Sequence, residues 1–190
     1  AECADAFRTG WDDRNHGWQN EYWGKTMLCF SGACGATCDP VLKAWTIDRV
    51  HKFLNDYQKP NGYICTYSDE DYLGEGFSVW GRKYTLWALV DLYRTTGDAA
   101  CLEAAEKLFD HLDAQLKRTG KRIWETGIWP GISSMSILKP VLELYAETKK
   151  DKFLRFAEEI IAALWDPALK EGALLANAKR SEKICTWFPK

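Results

Sequence analysis

The chain contains three copies of one pattern: a helical run, a short turn that includes an aspartate, and a second helical run. The turns are Thr37–Pro40, Thr96–Asp98 and Lys149–Asp151, and each is followed by a Leu with Trp or Ala three residues later. Each copy is long enough for two helices and a return loop, which is the length of a helical-hairpin repeat. Such a unit buries its apolar face only against its neighbours, so the pattern predicts a stack of hairpins.

The residues at these turns are those that end one helix and begin the next. Gly97 can adopt the left-handed conformation that stops a helix, and Asp98 can cap the following helix. Asp39 and Pro40 combine a capping side chain with proline at the first helical position. Strand signals are nearly absent, so the sequence predicts an all-α fold. Apolar residues recur with a 3.6-residue period around the second turn, at Leu86, Leu89, Val90, Tyr93, Leu102, Ala105, Leu108, Phe109 and Leu112.

Three helical hairpins amount to half of a six-hairpin ring, the (α/α)6 toroid. The first helix of each hairpin is apolar on more of its circumference than the second helix, as expected of an inner layer. We therefore expect residues 1–190 to form a single all-α domain that makes up about half of such a toroid. Because an open half-toroid would expose a large apolar edge, we interpret the chain as an N-terminal fragment of a larger barrel.

Charge and hydropathy argue against nucleic acids and membranes as partners. The chain has 25 Lys and Arg against 27 Asp and Glu, a formal charge of -2, and no basic block that could neutralise phosphates. No apolar run approaches the roughly 20 residues that a membrane helix needs. The unusual feature is the 10 Trp residues, a content typical of carbohydrate sites and also of well-filled cores.

The 7 cysteines and 3 histidines are too scattered to indicate a metal site. Cys29, Cys34 and Cys38 form the tightest group, but they lie in an apolar stretch with no histidine nearby. We therefore expect buried structural thiols, with metal binding or redox chemistry as the alternative. His51 and His111 lie in polar helical contexts and are expected at the surface. Unpaired cysteines favour a reducing interior, and hence the cytoplasm over the periplasm.

The loops that lead into the first helices hold the candidate chemistry. Residues 17–25, 71–85 and 124–134 each combine Trp or Tyr with glycine and charged side chains. Aromatic rings that pack on sugar rings, beside charged groups that bond hydroxyls, are typical of a carbohydrate site. Trp23 and Trp80 are equally expected in a core.

The charged and hydroxyl side chains of these loops also have structural interpretations. Glu21 and Lys25 have the spacing of an ordinary helical ion pair, as well as that of pocket-facing groups. Arg82 and Lys83 suit a solvated surface as well as a site. The serines at 133–136 favour helix capping and packing over nucleophilic catalysis, because no histidine accompanies them.

Several of these blocks resemble one enzyme family. They are similar to the N-terminal helical domain of glycoside hydrolase family 127, the β-L-arabinofuranosidase family, over about residues 11–190. The Gln58 and Trp80 blocks are fairly specific, whereas the turn at Gly97 is common among helical toroids. The blocks that carry the resemblance are Trp18–Lys25, Gln58–Tyr67, Trp80–Leu86 and Leu92–Asp98.

The resemblance implies an (α/α)6 barrel with β-sandwich domains and retaining hydrolysis of terminal arabinofuranosides. It also implies a zinc-bound cysteine thiolate as nucleophile, whose pKa the metal lowers, and a glutamate as acid/base. Those residues belong to later hairpins, so none of the cysteines here corresponds to them. Family members place substrate-contacting histidines where this chain has Tyr84 and Ser134.

The sequence therefore predicts the N-terminal half of a glycosidase toroid that supplies one wall of a sugar pocket. It predicts no catalytic residue, no metal ligand and no cofactor in this chain, which alone should be inactive, with zinc expected in the full-length protein. One alternative is a sugar epimerase on the same barrel, which normally uses histidine pairs. Another is a non-catalytic helical repeat that binds glycan or protein. The candidate substrate contacts are Glu21, Trp23, Lys25, Trp80, Arg82, Tyr84 and Ser134.

Overall fold

The computed structural model describes residues 2–15, 17–129 and 131–179, and within these ranges it contains helices and loops without a β-strand. Two short 3-10 segments, Ile123–Glu125 and Pro167–Gly172, accompany the α-helices. The prediction of an all-α fold is confirmed. The α-helices are α1 (Glu2–Thr9), α2 (Asp12–Asn15), α3 (Gln19–Thr37), α4 (Pro40–Tyr57), α5 (Ser78–Thr96), α6 (Ala99–Thr119), α7 (Ile132–Met135), α8 (Leu138–Thr148), α9 (Asp151–Trp165) and α10 (Leu174–Lys179).

In the described part of the chain the helices form three hairpins, α3 with α4, α5 with α6, and α8 with α9. The first two turns have the predicted chemistry. The Asp39 carboxylate accepts hydrogen bonds from the first backbone N–H groups of α4, and Pro40 is the first residue of that helix. Gly97 ends α5 with a φ of 75°. The Asp98 carboxylate accepts a hydrogen bond from a backbone N–H in the first turn of α6. These bonds satisfy N–H groups that have no partner inside the helix.

A threonine, rather than an aspartate, is what the three turns share. The hydroxyls of Thr37, Thr96 and Thr148 each donate to the carbonyl four residues earlier, at 2.8, 2.6 and 2.8 Å. Each hydroxyl also accepts a hydrogen bond from the backbone N–H two residues later. That residue occupies the N-cap position of the next helix. In the third turn this residue is Lys150, so Asp151 is the first residue of α9 and not its cap.

The first helices of the hairpins form a layer in which α3 packs against α5 and α5 packs against α8. They run parallel, since residues near the starts of α3 and α5 meet and Ser31 bonds Thr95 near their ends, at 2.8 Å. Glycines allow this close approach: a Cβ atom on Gly24 would lie 2.5 Å from the backbone of Tyr84. The middle helix α5 is buried on most of its circumference.

The second helices pack outside this layer and against one another. Phe109 of α6 packs edge-on against Phe153 and Phe156 of α9, with ring centroids 4.8 and 5.1 Å apart. Exposed apolar side chains remain on the first and third hairpins, at Val41, Trp45, Leu142, Ile161 and Trp165. Closure of the hairpins into a toroid stays a prediction. No helix in the described ranges is long and apolar enough to cross a membrane.

Two expectations about buried and exposed residues are wrong. Cys34 is buried as predicted, but Cys29 and Cys38 are exposed. Cys29 lies on a different side of α3 from Cys34, roughly 140° around the helix. Cys38 follows the last residue of α3, and its φ of 53° takes the chain out of the helix. His111 lies inside the protein, 7% exposed, where its ring contacts that of Tyr63. Burial lowers the pKa of His111, and the neighbouring positive charge of Arg82 lowers it further.

Candidate functional site

A row of large side chains follows one face of α5 from its N-terminal end. Trp80, Lys83, Tyr84 and Trp87 have the spacing of neighbours on a helix surface. The ring centroids of Trp80 and Tyr84 are 5.4 Å apart in an edge-on arrangement, and those of Tyr84 and Trp87 are 6.2 Å apart and nearly parallel. The three aromatic residues are partly exposed.

Helix α3 places a carboxylate beside this row. Glu21 accepts a hydrogen bond from the indole Nε1–H of Trp80 and forms an ion pair with Lys25, one turn further along α3. The hydrogen bond to Glu21 is the main reason that the pKa of Lys25 is raised. Glu21 therefore links the two helices, and it keeps Lys25 charged.

Lys83 brings a second ammonium group into the same space. Its Nζ atom lies 3.4 Å from the ring centroid of Trp80 and 3.8 Å from that of Tyr84, and the residue is only 6% exposed. The pKa of Lys83 is lowered to about 8, mainly by burial; the carboxylate of Glu21 opposes this shift, and the charge of Lys25 adds to it. The aromatic faces stabilise the cation that remains.

Helix α8 supplies a third ammonium group. Lys139 places its Nζ atom 4.1 Å from the ring centroid of Trp87 and forms an ion pair with Glu143. Lys25 lies 5.0 Å from the ring of Tyr84. Three parallel helices thus contribute to one surface, which we call the lysine–aromatic face. Its members are Glu21, Lys25, Trp80, Lys83, Tyr84, Trp87 and Lys139.

A second aromatic group adjoins this face at the start of the helices. The ring of Phe77 lies between those of Trp18 and Trp129, at centroid distances of 5.4 and 6.1 Å, and 6.5 Å from that of Trp80. Trp18 and Trp129 are 46% and 38% exposed, and Trp18 donates its indole N–H to the hydroxyl of Tyr22. Aromatic surface therefore continues from the lysine–aromatic face onto the loops.

The structure brings together Glu21, Lys25, Trp80 and Tyr84 among the predicted contacts, and separates the other three from them. Trp23 is 7% exposed and stacks on Phe53 at 3.8 Å on the opposite side of α3. Arg82 and Ser134 are each 1% exposed.

The two more deeply buried side chains are held by other protein groups. Arg82 donates to the side chain of Gln115 at 2.8 Å and to Ser78 at the start of its own helix. Ser134 donates to the carbonyl of Thr126 at 3.0 Å. Arg82 joins α5 to α6, and Ser134 fixes the loop that leads into α8.

Sequence reasoning missed Trp87 and Lys139, and it weighed Lys83 as a surface or a site residue without choosing it as a contact. For Lys83 and Trp87 a signal existed, because each residue of an α-helix turns roughly 100° from the one before. Positions three, four and seven residues after Trp80 therefore share its face, whereas Arg82 points roughly 200° away. No pattern in the sequence indicates Lys139, because its place depends on how α8 packs against α5.

The described residues do not fit the zinc that the resemblance implies. Within these ranges no group of three His, Cys, Asp or Glu side chains could hold a metal ion, and we derive no step through one. Two cavities of about 420 and 400 Å³ lie away from the lysine–aromatic face, one between α6 and α9 and the other between α4 and α6.

Aromatic rings beside charged groups, at the start of the first helices, form a surface that can bind a ligand through ring contacts and hydrogen bonds. The family model described as β-L-arabinofuranosidase, GH127 catalytic domain, matches residues 3–186. The chain therefore belongs to this family of glycoside hydrolases, as the sequence blocks predicted. Among curated proteins no match was found.

Proposed function

We propose that the chain is part of a retaining glycosidase that acts on terminal arabinofuranosides or related plant or bacterial glycans. In this proposal the lysine–aromatic face is one wall of the sugar site. The family match supports the class of reaction. The observation that carries the position of the wall is the hydrogen-bonded group of Glu21, Lys25 and Trp80 across α3 and α5.

The side chains on this face suit the two kinds of surface that a sugar presents. The C–H groups of a furanose ring pack against aromatic faces, here those of Tyr84 and Trp87. Its hydroxyls can donate to the carboxylate of Glu21 and accept from the ammonium group of Lys25. Because Glu21 is fixed by Trp80 before a ligand arrives, little side-chain entropy is lost when the sugar binds.

The other three predicted contacts act, in this proposal, as supports behind the wall. Trp23 fixes α3 against α4 through Phe53, Arg82 ties α5 to α6, and Ser134 shapes the loop before α8. We assign no nucleophile and no acid/base residue to this chain, and we expect residues 1–190 alone to bind sugar without hydrolysing it.

Calorimetric binding of methyl β-L-arabinofuranoside to the natural full-length protein tests the proposal. Trp80→Ala removes one ring and the indole donor to Glu21, and should weaken binding at least about fivefold, the effect of one aromatic contact. The matched control is Trp45→Ala, which removes an exposed tryptophan from α4 and should leave binding unchanged.

Helical circular dichroism of both variants separates a binding role from a structural one. If folded Trp80→Ala bound the sugar as well as the unchanged protein does, the proposed wall would be wrong. If Trp80→Ala unfolded, Lys25→Met, at a side chain that is half exposed, would repeat the test without changing the core. A partner captured through this surface that is a protein and not a glycan would favour the non-catalytic repeat.

A further inference from the structure

The lysine–aromatic face carries more positive than negative charge at its centre. Lys25 and Lys83 both contact the ring of Tyr84, and Glu21, paired with Lys25, is the carboxylate that acts on both. No carboxylate in the described part of the chain lies within ion-pair distance of Lys83. Two ammonium groups therefore share one carboxylate.

The outer parts of the face do not remove this imbalance. Lys139 is already paired with Glu143, and Glu143 also pairs with Arg94. Asp91 lies one helical turn beyond Trp87, further from Lys83 along α5. The uncompensated charge is thus localised at Lys83, beside the rings of Trp80 and Tyr84.

Keeping an ammonium group in this position is costly for the protein. Lys83 is almost entirely removed from water, and the desolvation of a charged group is unfavourable unless a partner compensates it. Cation–π contacts offset part of the cost. A methionine or leucine would fill the same space without that cost, so the charge is better explained by a ligand than by packing.

We propose that the sugar bound at this face carries a carboxylate, which Lys83 and Lys25 recognise together. The inference rests on the proposed function, because it names the substrate class of the same wall. A carboxylate placed beside Tyr84 would complete an alternating set of two ammonium groups and two carboxylates. Hydrogen bonds between ionised groups are about twice as strong as neutral ones, so an acidic sugar should be preferred over its neutral counterpart.

Two ligands that differ only at C5 isolate this effect. Methyl β-L-arabinofuranoside ends in a hydroxymethyl group, and its C5 acid ends in a carboxylate of nearly the same size. Calorimetry on the full-length protein near pH 7 should show the acid binding about tenfold more tightly, the gain expected of one charge-assisted contact.

Substitution of the lysine tests its role directly. Lys83→Met keeps the apolar stem and should abolish the preference for the acid, measured as the ratio of the two affinities in the same variant. The matched control, Lys117→Met, removes an exposed lysine from the end of α6 and should leave the preference unchanged.

The pH dependence of the unchanged protein gives a second test that needs no variant. The titratable groups that face Lys83 are Glu21 and Lys25 from α3 and Tyr84 on its own helix, with Lys139 of α8 at the adjoining ring. Lys25 has a raised pKa and the sugar carboxylate stays ionised. The preference should therefore decline as Lys83 loses its proton, between about pH 8 and pH 10.

The outcomes distinguish this inference from the function on which it rests. Equal affinity for the two sugars, weakened by Trp80→Ala, would overturn the acidic substrate and leave the sugar wall intact. Binding of neither sugar by the folded protein would overturn both. The preference for the acid could instead persist in Lys83→Met and at about pH 10. That result would show that another group binds the carboxylate, and it would refute the assignment to Lys83.

Discussion

Substitution of Gly24 by alanine should destabilise the protein, although alanine is the better helix former. Gly24 lies in the interior of α3, where α3 meets α5. A Cβ atom there would lie 2.5 Å from the backbone carbonyl carbon of Tyr84 and 2.6 Å from its oxygen. Backbone atoms cannot rotate away as the end of a side chain can, so the two helices must separate.

The expected size follows from two opposing effects. Overpacking of a well-packed contact typically costs about 1–3 kcal/mol, whereas replacing glycine by alanine inside a helix gains about 1 kcal/mol. The net effect of Gly24→Ala should therefore be a loss of up to about 2 kcal/mol in the free energy of unfolding.

Gly32 provides a matched control in the same helix. A Cβ atom on Gly32 would have no neighbour within 4 Å, so Gly32→Ala should stabilise the protein by about 0.5–1 kcal/mol. Urea unfolding followed by helical circular dichroism measures both variants. If Gly24→Ala were as stable as Gly32→Ala, the close packing of α3 on α5 would be refuted.

Three further predictions concern single side chains. Asp98→Ala removes the carboxylate that caps α6 and should cost about 1 kcal/mol in urea unfolding; an unchanged midpoint would contradict its capping role. Arg82→Met leaves the buried amide of Gln115 without its 2.8 Å donor and should cost about 1–3 kcal/mol; a loss below about 0.5 kcal/mol, within the range of ordinary surface changes, would contradict it. Burial lowers the pKa of Lys83 in the folded protein from its usual value of 10.5 to about 8, so between these pH values the unfolded state binds more protons and stability should rise with pH. Lys83→Met should lack this rise, and titration of ¹⁵N-labelled lysines after Glu21→Gln should show a still lower pKa for Lys83.

The sequence was informative about the hairpins because their turns are encoded locally. Asp39 and Asp98 satisfy backbone N–H groups within three residues of themselves, so their role can be read without knowing the fold. The third turn was misplaced by one residue, because Asp151 resembles the other two aspartates. The repeated feature is Thr148, which bonds backwards to Leu144 and forwards to Lys150.

The candidate site was predictable only as far as helical geometry determines it. One face of α3 carries Glu21 and Lys25, and one face of α5 carries Trp80 and Tyr84. The structure brings these two pairs together. The loop blocks also contained Trp23, Arg82 and Ser134, whose directions depend on which face of each helix meets a neighbour. The packing between helices could not be predicted from the sequence. Candidate residues of similar chemistry therefore could not be separated into those that face the site and those that face the core.

The lysine–aromatic face is a consequence of how closely α3 and α5 approach. The bond between Glu21 and Trp80 joins the two helices, and the helices also approach closely at Gly24 and Gly81. At Gly81 a Cβ atom would lie 2.6 Å from that of Asn20, so both glycines set the helix spacing next to the site. A larger residue at either position would move Glu21 away from Trp80 and Lys83, which would lower the pKa of Lys83 further. The stability of the helix layer and the charge state of the candidate site therefore depend on the same two glycines.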